Sequence, residues 1–441
     1  MLFGMKGLRV TDAEPGPDGT VTVWAVTDHP DAARCPDCGT VSSRAHERVV
    51  TCPKDVRCSA GRVRLCWVKR RWKCQNDRCR RKTFTESVPQ VPPRCQVTGR
   101  LREQAGAEVA ERGVTPAEAA RHAGVSWPVA HSAFAKMADP ALERPHRLVA
   151  HLGIDEHRRG RCRYAADPVT GEYELVTDRW HSCFYDLSGD QGLLGQVEGR
   201  TADDAAYWLA GQPPAWRDVV RVVAIDMCSI YASAVRRMLP DAVLVTGIFH
   251  VVQLAVKVTG DVRRRATRQK YGRRGRTGDP EYGIKRLLGQ NLETLTPAQF
   301  SKIVNTLNAD RHGQQAAAAW IGKEFLRDAL NLRARVSGST PCERNVRDRL
   351  FRFYDWCARH DDIPELLTLA RTIARWEDQI TAAVITGVTN AKSESLNRIA
   401  KLEARNAYSF RNAANQRRRV RTACNRAARR PSRTATTQTA T

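Results

Sequence analysis

Two apolar runs in the sequence stop on an acid. Val222-Val223-Ala224-Ile225 is followed by Asp226, and Val149-Ala150-His151-Leu152-Gly153-Ile154 by Asp155. Such runs read as strands buried on both faces, and a carboxylate has no place in that core. It belongs at the carboxyl end of the strand, at the rim where α/β sheets bind ligands. A lone strand-end Asp is most often a turn or cap residue. Two of them, in a strongly basic chain, suggest metal ligands facing nucleic acid. Carboxylate oxygens suit Mg²⁺ or Mn²⁺, and two such ions about 4 Å apart clamp the attacking and leaving oxygens of a phosphodiester.

Cysteines supply a second chemistry. Cys35-Pro36-Asp37-Cys38-Gly39 sets two thiolates on a tight turn, and Cys74-Gln75-Asn76-Asp77-Arg78-Cys79 offers a second pair. The simplest arrangement is a zinc ribbon with Zn²⁺ held by Cys35, Cys38, Cys74 and Cys79. Cys52, Cys58, Cys66 and His46 compete as ligands. Gly61 to Arg70, between the pairs, alternates as a strand should. From Arg57 to Lys82 eleven basic residues stand against one acid, Asp77, so Arg70, Arg71 and Lys73 are expected to touch phosphates.

The whole chain shares that bias. Its 441 residues carry 72 Lys and Arg against 47 Asp and Glu, a net charge of +25. A field of that sign points to phosphate backbones or anionic membranes. No apolar run approaches the ~20 residues of a membrane span, and there is no signal-peptide pattern. The expected setting is therefore the cytoplasm, with nucleic acid as partner and no membrane. Fourteen cysteines in that setting read as metal ligands and buried thiols.

The elements that position these groups follow from local grammar. Thr115-Pro116-Ala117-Glu118 reads as a capping box opening a helix, Gly124 takes a turn, and Ser126 caps a second helix through His131 and Phe134. That is a helix-turn-helix, with Ser126, Trp127 and His131 expected at DNA. Pro140 and Pro145 mark a linker. Next come the strand ending at Asp155, strand candidates Arg163 to Asp167 and Ser182 to Leu187, a helix from Thr201 to Ala210, the strand ending at Asp226, a helix from Ser229 to Leu239 and a strand from Ala242 to Val245. Three antiparallel strands, a helix and a strand with a second Asp follow the order of a ribonuclease-H-like fold, which would set Asp155 beside Asp226.

Several segments resemble the ISL-three family of bacterial insertion-sequence transposases. They are the Cys35–Gly39 knuckle, Cys74 and Cys79 followed by Thr83-Phe84-Thr85-Glu86, Leu152-Gly153-Ile154-Asp155-Glu156, Asp226-Met227, Ile248-Phe249-His250-Val251 and Ser393-Glu394-Ser395-Leu396-Asn397. The likeness runs from about residue 30 to 425. It implies a DDE transposase of the bacterial cytoplasm, associated with the nucleoid, that acts as a homodimer on double-stranded DNA, binds the terminal inverted repeats of its element, cuts there with water and joins the freed 3′-hydroxyl to target DNA, with no covalent protein intermediate. Asp155, Asp226 and Glu394 take the catalytic, metal-binding positions, and His250 marks a structural motif. Two positions depart from the family pattern. Gly247 stands where an Asp is usual, and Ser395 where a Gly is usual.

The implied architecture is multidomain α+β: a zinc ribbon (1–90), a helix-turn-helix (91–145), a ribonuclease-H-like α/β core (146–258 and 386–425) interrupted by an all-α insertion (259–385), and a basic tail (426–441). In the insertion, helices are expected over Pro297–Leu307, Gln314–Val336 and Glu343–Arg359, with Trp320, Phe325, Leu330, Phe351, Phe353, Tyr354 and Trp356 in their core. Arg263 to Arg276 holds eight basic residues and no acid, which reads as a mobile DNA clamp including Arg263, Arg264, Arg265, Arg273 and Arg274. Beyond Glu403 no acid occurs, so Arg417, Arg418 and Arg419 belong to a basic arm gripping phosphate. Among the late acids, Glu377 reads as a surface ion-pair partner, and Glu403 faces another side of the helix that carries Glu394. An inactive, domesticated transposase kept for zinc-dependent DNA binding is the alternative to an active enzyme. A stand-alone nuclease of the same fold would not need the finger, the helix-turn-helix and the insertion together.

Overall fold

Val222–Ile225 is buried at every position, as a run with no polar residue demands. In the computed structural model it lies inside a five-stranded sheet. The structure describes residues 4–57, 63–158, 160–177, 179–333, 338, 341–408 and 410–429. Cys58, Gly61, Arg62, Arg159, Val336, Arg430 and the tail beyond it, all invoked above, lie outside the described residues. The protein is a mixed α+β chain, and its residues group into two units, Met1–Arg144 and Pro145–Thr441.

The first unit is built on a sheet of β1 (Leu8–Pro15), β2 (Val21–Thr27), β3 (Ala45–Thr51), β4 (Val63–Lys73) and β5 (Thr83–Thr85). Its order is β1-β2-β4-β3, with β5 also on β4. Leu65 and Trp67 of β4 are buried with Ala25 of β2. Three helices follow: α1 (Gly99–Ala107), α2 (Pro116–Ala123) and α3 (Trp127–Leu142). The Thr115–Glu118 capping box forms, and Gly124 takes a left-handed turn at φ 63°, a conformation in which a side chain is strained. Ala119, Ala120, Ala130 and Phe134 close the helix pair. Pro140 is not a linker residue; it sits inside the last turns of α3.

The second unit contains β6 (His151–Arg158), β7 (Arg163–Ala166), β8 (Tyr173–Thr177), β9 (Trp180–Asp186), β10 (Leu193–Glu198), α4 (Ala202–Ala210), α5 (Pro214–Arg217), β11 (Val222–Ile225), α6 (Ser229–Met238) and β12 (Val243–Thr246). The large sheet has the order β10-β9-β6-β11-β12. β9 runs antiparallel to β6 and β10, whereas β6, β11 and β12 are parallel. The third antiparallel strand is therefore Leu193–Glu198, not Arg163–Asp167. The latter stretch pairs with Tyr173–Thr177 in a separate two-stranded ribbon.

Alternation assigns the sheet's faces. Leu152, Ile154 and Phe184 join a core with α4 and α6. Cys183, Tyr185 and Leu193 point the other way, onto Leu396, Ala400, Val420 and Cys424.

Those last residues belong to the closing helices. The remaining elements are α7 (Ile248–Tyr271), α8 (Pro280–Gly283), α9 (Pro297–Leu307), α10 (Arg311–Leu330), α11 (Glu343–Ala358), α12 (Pro364–Arg375), α13 (Glu377–Thr386), α14 (Ala391–Asn406) and α15 (Ala413–Ala428). α7 is continuous across residues 258 and 259, so sheet and insertion share one core through Val251, Val258 and Val262. Trp320, Leu330 and Phe353 are buried as expected, but Phe351 is 69 % exposed. The buried stripe of α11 is Val346, Leu350, Phe353 and Cys357, and Phe351 falls about 100° from it.

The basic runs differ most from expectation. Arg263 to Tyr271 is no mobile clamp but the end of α7, because Val262 and Ala266 continue the buried stripe. Arg263 is buried and donates to the Glu281 carbonyl. Arg265 pairs with Glu365 at 2.7 Å and Arg273 with Asp279 at 2.8 Å; Arg264 and Arg274 are exposed. The C-terminal arm is likewise the packed helix α15. Arg419 is buried against Glu403 at 2.6 Å, Arg417 lies 3.7 Å from Glu198, and Arg418 donates to Asn415.

Candidate active site and metal centres

The parallel pairing of Ala224 with Gly153 sets Asp226 and Asp155 side by side where β11 ends; β6 does not stop at Asp155 as expected but continues to Arg158, because β9 keeps pairing with it. Between β12 and α7 the chain turns at Gly247, which returns His250 toward β11. His250 Nε2 lies 3.1 Å from Asp226 Oδ1 and 3.2 Å from Glu394 Oε1. Glu394 is in the first turn of α14, where the helix dipole favours a carboxylate. Ligand atoms of Asp226, His250 and Glu394 all lie within 4.8 Å of one another. Asp155 stands outside this group. His250, expected only as a structural motif residue, stands inside it.

Two asparagines flank Glu394 and reach the two aspartates. Asn390 Nδ2 donates to Asp226 Oδ1, and Asn397 Nδ2 donates to Asp155 Oδ2 and, at 3.0 Å, to the Glu156 carbonyl. Asn397 Oδ1 accepts from Tyr185 Oη at 2.9 Å, which fixes the amide with its donors toward Asp155. Asn390 also accounts for Gly247. A Cβ there would stand 2.4 Å from Asn390 Oδ1, so Asn390 fills the space that a side chain at 247 would need. Sequence reasoning missed both asparagines; their positions beside Glu394 were the available signal.

Burial shapes the electrostatics. It raises the Asp155 carboxyl above its usual range, against the hydrogen bonds from Glu156 N and Asn397. Burial, with the negative charge of Asp155, pushes Asp226 up to about 6, while His250 opposes the shift. Glu394 Oε1 is buried, with His250 Nε2 beside it at 3.2 Å. Two carboxylates and an imidazole nitrogen converging in this way fit a divalent cation. A carboxyl raised on folding favours the fold below its unfolded pKa, and that contribution is lost as pH rises through about 6. Mn²⁺ is therefore expected to raise the melting temperature more at about pH 7 than at about pH 5. Equal shifts in a melting series at the two pH values would contradict this.

The four cysteines form the other cluster. Cys35 and Cys79 sulfurs are 4.0 Å apart, those of Cys38 and Cys74 are 3.6 Å apart, and all four lie within 4.8 Å. Tetrahedral zinc with Zn–S bonds of about 2.3 Å separates its sulfurs by about 3.8 Å, so the quartet fits. Hydrogen bonds from Thr40 hold the Cys38 thiol down at about 6, whereas Cys74, despite a backbone hydrogen bond at Asn76, is pushed up to about 12 by burial and the neighbouring thiols; a cation among the four sulfurs would favour the thiolate form of all of them. Cys52 and Cys66 form a separate pair at 3.4 Å.

The expected DNA-contacting residues of the first unit are placed as follows. Arg70 pairs with Glu86 and lies over Trp72, Arg71 pairs with Glu47, and Lys73 is exposed. Ser126 takes the N-cap position of α3 without a side-chain cap bond. Trp127 is 48 % exposed and stacks on His131 with ring centroids 4.6 Å apart.

Residues 152–420 match a family model of DDE transposases, the ISL3 (ISL-three) group, described as Transposase. The chain belongs to this transposase family. The match begins on β6 and ends on α15, and so takes in all the residues gathered at the sheet rim. A search of curated proteins finds no match. Within the described residues of this transposase-family chain, no helix is long and apolar enough to cross a membrane.

The asparagine contacts give this family member a test of its own. Asn397→Ala removes the donor to buried Asp155 and the acceptor of Tyr185, and should cost about 1–3 kcal/mol. Asn397→Asp keeps the shape but sets a second carboxylate against the first, and should cost more. Urea unfolding of the three proteins is the measurement, and wild-type stability in both variants would refute the role.

Proposed function

We propose that this protein is an active DNA transposase that binds the terminal inverted repeats of its element and performs metal-dependent cleavage and strand transfer with Asp155, Asp226 and Glu394. The observation that carries the reading is the convergence of Asp226, Glu394 and His250 at the rim of the sheet, with Asp155 on the next strand. The strand order, antiparallel on one side of β6 and parallel on the other, supports a ribonuclease-H-like core.

Asp226 and Glu394, with His250, would hold a divalent cation, Mg²⁺ or Mn²⁺. When bound, such an ion supplies Lewis acidity at a phosphodiester and a water of lowered pKa. The protein's own part is positional. α14 delivers Glu394 and, through Asn390 and Asn397, fixes both aspartates in one stroke. Asp155, buried and hydrogen-bonded, adds negative charge that strengthens the pull on any cation beside Asp226. Incubating the protein and Mn²⁺ with a duplex bearing the inverted repeats that flank its gene, together with plasmid target, tests the reading. Joined product is expected; repeat binding without cutting or joining would favour the domesticated alternative.

The Cys35–Cys38–Cys74–Cys79 cluster is assigned to structural Zn²⁺, and the first unit to end recognition. Trp127 and His131 on α3, with exposed Arg64, Lys73, Arg78 and Arg80, supply base-facing and phosphate-facing groups respectively. Residues 1–144 alone should bind the repeats, with log affinity falling by about 0.9 per phosphate contact for each unit of log salt. A salt-independent affinity, or retained end selection by residues 145–441, would overturn the assignment.

A further inference from the structure

A cavity of about 1000 Å³ opens beside the same carboxylate cluster, and Asp226 and His250 belong to its lining. α7 contributes Phe249, Val252, Val256 and Lys257; Asn291, Asn331, Arg327 and Arg333 line it as well. Phe249 is 51 % exposed and meets the His250 ring edge-to-face at 5.9 Å. The apolar part of this lining, with its exposed aromatic, suits the face of a planar ring. The two carboxamides can both donate and accept, as the edge of a nucleobase requires. Lys257 and Arg333 line the same cavity, as does Arg327, which is paired with Glu293, and they supply positive charge for the sugar-phosphate that tethers such a base.

We propose that this cavity receives an unpaired nucleobase adjacent to the scissile phosphodiester, stacked on Phe249 with its polar edge toward Asn291 and Asn331. The inference rests on the DNA-cutting reading above and extends it. A phosphodiester inside a duplex is hard to seat at the rim of a sheet, and drawing one base out of the stack frees the backbone to reach Asp226 and Glu394. Unstacking costs a few kcal/mol per base, which stacking on an aromatic side chain offsets in part. Asp226 and His250 belong both to the cavity lining and to the carboxylate cluster, which ties the pocket to the chemistry.

The test uses the full chain and a duplex of the flanking inverted repeat, with 2-aminopurine at the nucleotide beside the cut. Binding in Ca²⁺, and cutting in Mn²⁺, are read separately. Wild-type protein should brighten the probe on binding. Phe249→Ala should lose most of that signal and cut a fully paired end roughly tenfold more slowly, and a mismatch at the probed position should restore its rate. Val252→Trp, which fills the cavity from the same helix, should act like Phe249→Ala. If wild-type protein cuts with no brightening, or both variants cut paired ends at the wild-type rate, the pocket assignment falls and the transposase reading stands. If wild-type protein binds the repeat and brightens the probe yet cuts nothing, the pocket stands and the catalytic reading falls.

Discussion

Glu394→Gln is expected to abolish DNA cleavage, by at least roughly a hundredfold, while leaving binding to the element's ends unchanged. The exchange keeps the volume of the side chain and removes its charge. The charge matters because Glu394 is one of two carboxylates within 4.8 Å of each other and of His250, and a neutral amide is a weak ligand for a hard cation. Folding should survive. Glu394 contributes no apolar contact, and α14 is docked by Leu396 and Ala400 on the sheet, where burying a Leu side chain stabilises by about 1.5–3 kcal/mol. Glu403→Gln provides the contrast. It removes the negative charge from the buried pair with Arg419, so it should reduce stability by about 3–5 kcal/mol through a contact remote from the carboxylate cluster. Thermal melts and cleavage gels together separate the two. Normal cleavage by the Glu394 variant would defeat the catalytic assignment.

Removal of zinc is expected to have the largest effect on the first unit. Cys35 and Cys79 are buried with Trp72 and Phe84, so the metal cluster and a small apolar cluster are the same structure. Structural zinc contributes apparent binding free energies of about 10–16 kcal/mol near neutral pH, far above what four buried side chains supply. Chelation should therefore melt the Cys35–Phe84 region and abolish end binding, while residues 145–441 keep their far-ultraviolet circular dichroism. Cys35→Ser with Cys38→Ser should give the same result and bind no zinc. A chelated protein that still melts in a single unchanged transition would refute this account.

Local signals made part of this structure legible. The strand end at Asp226, the Thr115–Glu118 capping box, the Pro297–Leu307 helix and the cysteine pairs each depend on residues a few places apart, and each was read from such spacing; the expected end at Asp155 was not found, because pairing with β9 carries β6 on to Arg158. What escaped depends on partners far away in sequence. Arg265 finds its acid at Glu365 and Arg419 at Glu403, so runs that contain no acid looked like free charge. Asn397 is recruited to Asp155 across 242 residues, a relation that periodicity cannot carry. His250 was noticed for the motif around it, but its place beside Glu394 follows from α14 packing on the far face of the sheet.

That long-range closure has a consequence for synthesis and for damaged genes. The first 144 residues form a unit of their own and are translated before the second unit begins. The carboxylate cluster is different in kind, because Glu394, Asn390 and Asn397 are translated after every strand they complete. A chain interrupted between the first unit and α14 would, on the function proposed above, keep the means to occupy the element's ends and lack the means to open them. Under the proposed function, frameshifted copies of this gene would then act as repressors of intact ones, competing for the same sites without cutting.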